Sequence, residues 1–173
     1  MATTESSLPR IDSTPTLYRH RDPQDVLQRL SAIDLLRALP AEEIQELVPH
    51  AELLRIPASL RFIDEGEVGD ALYFIETGTA RVEREEAGVV AFVGAGSVIG
   101  EIALLSGTRR NASVYAETEL WVWRISQEAF ADLVARSPNL RAALEDVAAR
   151  RASGAPAAPL PSRQFWVATA LHA

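Results

Sequence analysis

No cysteine occurs in the chain, which excludes disulfides, thiolate zinc sites and cysteine nucleophiles. Histidine is nearly as scarce. His20, His50 and His172 all fall outside the strand-rich middle of the sequence, so an enzyme whose metal is held by histidines clustered on strands is not supported. No serine stands with a histidine at a spacing that suggests acyl-transfer chemistry, and no enzymatic activity or metal is expected. Long apolar runs are also missing. Without about 18 consecutive apolar residues, and with an N-terminus that opens Met-Ala-Thr-Thr-Glu, neither a membrane span nor a secretory signal is expected, and the cytoplasm is the default address. Positive charge is in deficit. A net charge of −7 argues against nucleic acid and anionic membrane as partners, because a cationic surface drives both kinds of binding. An anionic ligand would need a local exception.

What is present reads as one domain with tails. The 173 residues, 47% apolar and 24% charged, have the composition of an ordinary globular chain. Residues 1–20, rich in Ser, Thr and Pro at their start, read as a flexible leader, and residues 21–151 as the domain. Asp22-Pro23 suits a helix cap and first position, with Val26, Leu27, Leu30 and Ile33 on one face; a second short helix follows Pro40. From about residue 52 to residue 125, short runs of β-formers alternate with Gly, Asp, Glu or Ser roughly every ten residues. These runs are 53–56, 60–63, 71–76, 79–83, 89–93, 113–116 and 120–125, and they indicate a small antiparallel sandwich or barrel. Ser126 and Ser137-Pro138 suit the starts of two further helices, the second carrying Leu140, Leu144, Val147 and Ala148 to about Arg151. Residues 152–173 form a Pro/Ala-rich linker that leads to apolar Phe165–Leu171. That peptide can dock on a partner or fold back on its own domain, and the tail leaves no room for a DNA-reading helix-turn-helix.

The stretch from Gly100 to Val114 interrupts the strands and reads as an anion pocket. Gly100 permits close backbone approach, Ile102–Leu105 suit a short helical turn, and Ser106-Gly107-Thr108 suits a tight loop ending at Arg109 and Arg110. Amides at the start of a helical turn can receive phosphate oxygens. A guanidinium offers a planar fork to two such oxygens, each charged hydrogen bond contributing roughly 1.5–3 kcal/mol. Glu101 cannot face a phosphate, but its carboxylate can accept from a sugar hydroxyl. The ligand class is a phosphate joined to a sugar.

Gly100-Glu101-Ile102-Ala103-Leu104-Leu105, followed five residues later by Arg110, resembles the phosphate-binding cassette of cyclic-nucleotide-binding domains. That family includes the bacterial catabolite activator protein and the regulatory subunit of cyclic-AMP-dependent kinase. The resemblance extends over residues 35–151, through Pro57–Glu67, Gly69–Val82 and Gly94–Gly100. It implies an α+β fold, an antiparallel β jelly-roll barrel flanked by N-terminal and C-terminal helices. It also implies a non-catalytic sensor of cAMP or cGMP whose contacts are Gly100, Glu101, Ile102, Ala103, Arg110 and Asn111. The output would pass through the C-terminal helices or tail to a partner protein or a second copy. Asn111 stands where cyclic-AMP receptors usually carry Ala or Ser and cyclic-GMP receptors often carry Thr, which leaves base preference open. Ser59 replaces a turn glycine and Arg109 a proline of many members, departures that bear on loop shape. A ligand-free adaptor that keeps the fold is the alternative reading.

Overall fold

The structure, a computed structural model, describes residues 14–19 and 22–153. The rest of the expected leader, and the linker and apolar peptide from residue 154 onward, lie outside the described residues. Helix α1 (Pro23–Ser31) begins as its sequence predicts. Asp22 is extended and its Oδ1 accepts from the Gln24 amide at 2.9 Å, while Pro23 lacks only an N–H that has no helical acceptor there. Ile33, expected on the same face, lies past the end of α1; it is buried where helix α2 (Asp34–Arg37) starts. Helix α3 (Ala41–Leu47) runs into a 3₁₀ turn at Val48–His50. Helix α5 (Gln127–Arg136) is capped by Ser126, whose Oγ accepts from the Ala129 amide at 3.3 Å.

Helix α6 (Pro138–Ala152) is capped differently from what Ser137 suggests. The Ser137 hydroxyl makes no cap bond, and the Glu43 carboxylate of α3 accepts instead from the amides of Asn139 and Leu140, at 3.3 and 2.8 Å. A carboxylate at a helix N-terminus also meets the positive end of the dipole. Glu43→Ala is expected to lower stability by about 1 kcal/mol in urea denaturation, with Glu43→Gln recovering part of it; an unchanged midpoint would show that the cap contributes nothing.

Among the described residues there are nine strands: β1 (Thr16–Tyr18), β2 (Glu52–Ile56), β3 (Arg61–Ile63), β4 (Ala71–Thr77), β5 (Thr79–Arg84), β6 (Gly88–Gly94), β7 (Val98–Ile99), β8 (Ser113–Ala116) and β9 (Leu120–Ser126). Helix α4 (Glu101–Ser106) lies between β7 and β8. The seven runs of β-formers account for all but β1 and β7. The strands form one sheet in the order β1-β2-β9-β4-β7 and another in the order β3-β8-β5-β6, with every neighbouring pair antiparallel.

This arrangement corrects the expectation of a jelly-roll barrel. Among the described residues no ladder joins the two sheets, so neither closes or continues into the other. The physical reason lies at the edges. β1, β3 and β7 have three, three and two residues, too few to carry hydrogen bonding around a circle, and the sheets meet through side chains instead. The jelly-roll description is withdrawn with it.

Alternation along β4 and β9 divides the interior in two. Ala71, Tyr73, Ile75, Leu120 and Val122 face Ile63, Ala80, Val93, Val114 and Ala116 of the smaller sheet. Leu72, Phe74, Trp123 and Ile125 face the helices, packing with Leu30, Leu36, Leu47, Phe130, Leu133, Leu140 and Leu144. The centre of the larger sheet, β4 with β9, is therefore buried on both faces. Among the described residues no helix is long and apolar enough to cross a membrane.

Candidate functional site

The connection from β7 through α4 to β8 holds every residue that the sequence singled out. Gly100 precedes α4 with φ +90°, a left-handed conformation costly for any residue with a Cβ. Space excludes a side chain as well. A Cβ at this position would lie 2.5 Å from Arg110 Nη1 and 3.1 Å from the Ala71 carbonyl oxygen. Gly69 makes a similar allowance, since a Cβ there would lie 3.2 Å from Ala103 Cβ and 3.4 Å from Arg110 Cζ. Two glycines thus clear the volume that one guanidinium occupies.

Arg110 is turned inward, with its side chain 4% exposed. Nη1 donates to the Gly100 carbonyl at 3.1 Å, and Nη2 donates to the Ala71 carbonyl at 2.7 Å and to Asp70 Oδ1 at 3.2 Å. The backbone is fixed too: the Arg110 amide donates to Glu67 O and the Gly66 amide to Arg110 O, each at 2.8 Å. A guanidinium has five N–H groups. These three bonds leave the Nε–H and one Nη1–H without an acceptor among the described residues.

Glu101 is fully buried at the first position of α4. Its Oε1 accepts from Arg151 Nη1 of α6 at 2.6 Å, while its Oε2 is buried without a partner. Arg151 also donates through Nη2 to the Val98 carbonyl at 2.7 Å, which ties the last turn of α6 to β7. An unmatched buried carboxylate oxygen costs about 1–3 kcal/mol unless a donor reaches it.

The other expected contacts sit around this pair. Ala103 is buried and Ile102 partly so, both in the first turn of α4, and Asn111 is exposed beside Arg110. Arg109, the departure from proline, donates to the Gly66 carbonyl at 2.9 Å. Ser59, the departure from a turn glycine, has φ +71°.

Sequence reasoning missed Asp70, Ala71 and Arg151. Asp70 bridges Arg110 to Arg124, whose Nη2 reaches Asp70 Oδ2 at 3.4 Å while its Nη1 donates to Glu52 Oε2 at 2.9 Å. Burial, and the Asp70 charge second, push the Tyr73 phenol above its ordinary pKa, with Arg124 opposing. The signal for Asp70 was the Gly69-Asp70 pair itself, where glycine marks close approach and the carboxylate follows. Ala71 acts through its carbonyl, which no side-chain pattern reveals. Arg151 ends the apolar stripe of α6 and had no partner readable in sequence.

Surface clefts among the described residues lie elsewhere. One is lined by Tyr18, Arg29, Leu53, Glu76 and Trp121, another by residues of α1, α3 and the 3₁₀ turn. In the first, Arg29 and Glu76 satisfy each other in a two-bond pair at 2.8 and 2.5 Å. Among the described residues no group of three or more His, Cys, Asp or Glu is placed to hold a metal.

Comparison with known proteins bears on the same region. Residues 53–137 match the model of the family described as Cyclic nucleotide-binding domain. An uncharacterized NTE family protein of Mycobacterium tuberculosis is 29% identical over 126 residues, 73% of this chain and 22% of its own length. A cGMP-dependent protein kinase of Caenorhabditis elegans is 38% identical over 97 residues, 56% of this chain and 12% of its own. This chain thus spans less than a quarter of either relative. A crystal structure of a cyclic nucleotide-binding domain from Methylobacillus flagellatus superposes with TM-score 0.62 at 26% identity, covering 81% of this chain and 85% of that one.

Proposed function

Because residues 53–137 make this chain a member of the cyclic nucleotide-binding domain family, we propose that it is a non-catalytic sensor that takes cAMP or cGMP at the cassette. The observation that carries the reading is the pairing of two buried groups with unspent bonding capacity. Arg110 keeps two N–H donors for an anion, and Glu101 keeps one acceptor for a hydroxyl. A cyclic phosphodiester offers negative oxygens to the first and a ribose 2′-hydroxyl to the second. In this reading the amides of Ile102 and Ala103 complete the phosphate seat, Gly100 gives the clearance, and the amide of Asn111, exposed beside Arg110, is a donor for phosphate or a guanine edge.

Arg110 and Glu101 are each held by a second group, and this suggests how occupancy is relayed. A sugar hydroxyl on Glu101 competes with or reinforces the bond from Arg151, and Arg151 belongs to α6. A ligand acts on a helix only through unequal contacts with its alternative arrangements, and Glu101 supplies such a contact. The output then passes through α6 and the tail to a partner protein or a second copy, in the cytoplasm.

The test is thermal unfolding with a panel of nucleotides. A nucleotide at about 100 times its dissociation constant is expected to add roughly 2.7 kcal/mol to stability, and hydrogen exchange over residues 138–152 is expected to change with it. No shift with any nucleotide would favour the ligand-free adaptor.

A further inference from the structure

Ser137 both ends α5 and begins α6. Its amide donates to the Leu133 carbonyl at 2.8 Å, closing α5, and its carbonyl accepts from the Arg141 amide at 3.0 Å, opening α6. A serine at that position, followed by proline, ordinarily turns its hydroxyl onto the amides of the next turn. Here it does not. Ser137 is 1% exposed, and its Oγ is buried with no hydrogen-bond partner among the described residues. The amides it would serve are taken by α3: Glu43 Oε1 accepts from the Asn139 amide and from Asn139 Nδ2, and Oε2 accepts from the Leu140 amide. A dry, unpaired hydroxyl is a cost in this arrangement. Alanine would carry none.

Backbone geometry shows what separates the hydroxyl from those amides. Asp22 and Ser126, whose side chains do cap, have ψ 109° and 156°, whereas Ser137 has ψ 82°. Opening ψ at Ser137 toward those values turns α6 relative to α5, since no other residue lies between the two helices. Phe130 and Leu133 keep α5 seated in the core, so α6 is the part that moves. An amide N–H directed at Ser137 is no longer directed at Glu43, and the two caps exclude each other.

We infer that α6 carries two caps used in turn: Glu43 of α3 in the arrangement seen here, and Ser137 in a second arrangement in which α6 has turned about Ser137 and released α3. The reserve cap keeps the first turn of α6 bonded while the helix leaves α3, so this contact can open without fraying α6. Leu140 and Leu144, buried in the core, make the closed arrangement the major one. The exchange follows from the junction of α3, α5 and α6, and it stands whether or not the cassette takes a nucleotide.

The test uses the 173-residue chain without nucleotide, carrying spin labels at Gln45→Cys on α3 and Ala142→Cys on α6. Both positions are exposed, and labelling is specific because the chain has no other cysteine. Electron-spin distances are compared with Glu43 and Ser137 intact, in Glu43→Ala, in Ser137→Ala and in the double variant. Glu43→Ala is expected to raise the population at the longer distance about five- to tenfold, and adding Ser137→Ala is expected to return it toward the starting level. Alone, Ser137→Ala should leave the melting temperature unchanged or raise it, since it removes an unpaired buried hydroxyl; in the Glu43→Ala chain it should lower it. A distance distribution that Glu43→Ala does not alter overturns the inference. So does a longer-distance population that persists in the double variant, which would show α6 opening without its reserve cap. A lower melting temperature for Ser137→Ala alone overturns it as well, by showing the hydroxyl bonded in the arrangement seen here.

Discussion

Replacing Arg110 by alanine is expected to weaken cyclic-nucleotide binding by about 2–4 kcal/mol, roughly thirtyfold or more, as read by calorimetry. The effect is large because the guanidinium is the buried positive charge of the cassette and cannot be replaced from solvent. The substitution also removes the donor from the Gly100 and Ala71 carbonyls and from Asp70, so a loss of stability should accompany it. Circular dichroism separates the two, since affinity is measured only on chain that remains folded. Arg110→Lys keeps the charge but cannot span three acceptors with a planar fork, and it should recover little of the binding. Equal affinity in wild type and Arg110→Ala would place the phosphate elsewhere.

Trp123→Ala is expected to lower unfolding free energy by about 3–5 kcal/mol, a large part of the 5–15 kcal/mol that holds a typical domain. The ring is fully buried against the helices. Its Nε1 donates to Glu76 Oε1 at 3.2 Å, and the Arg29 guanidinium lies 5.1 Å above it. Alanine leaves a cavity and releases α1 from its clasp on β4. Trp123→Phe keeps an aromatic ring and loses the N–H, and should cost nearer 1 kcal/mol. Chemical denaturation measures both; a loss below about 1 kcal/mol for the alanine variant would show that this side of the sheet is not the main source of stability.

How much of this was legible beforehand depends on how local each signal is. Capping at Asp22 and Ser126 was readable because donor and acceptor lie two or three residues apart. Ser137 misled for the same reason: a local cap was assumed, and Glu43, almost a hundred positions earlier, does the capping. The cassette was readable as a run, and the structure brings Gly100, Glu101 and Arg110 together. Asp70 and Arg151 reach it from 40 and 50 residues away, and only folding decides such distances. Strand rhythm located every strand but β1 and β7, yet could not say whether they close, since closure depends on which edges pair. β1 and β7 owe their place to neighbours rather than to their own residues.

Burial on both faces makes β4 a party wall. Leu72 and Phe74 bear on the helices, while Ala71 and Tyr73, their immediate neighbours, bear on the opposite chamber, and the Ala71 carbonyl grips Arg110. A peptide chain cannot rock on one side and stay still on the other. Any load that α5 or α6 places on Phe74 is therefore delivered, three residues back along the same backbone, to the Ala71 carbonyl that holds the arginine.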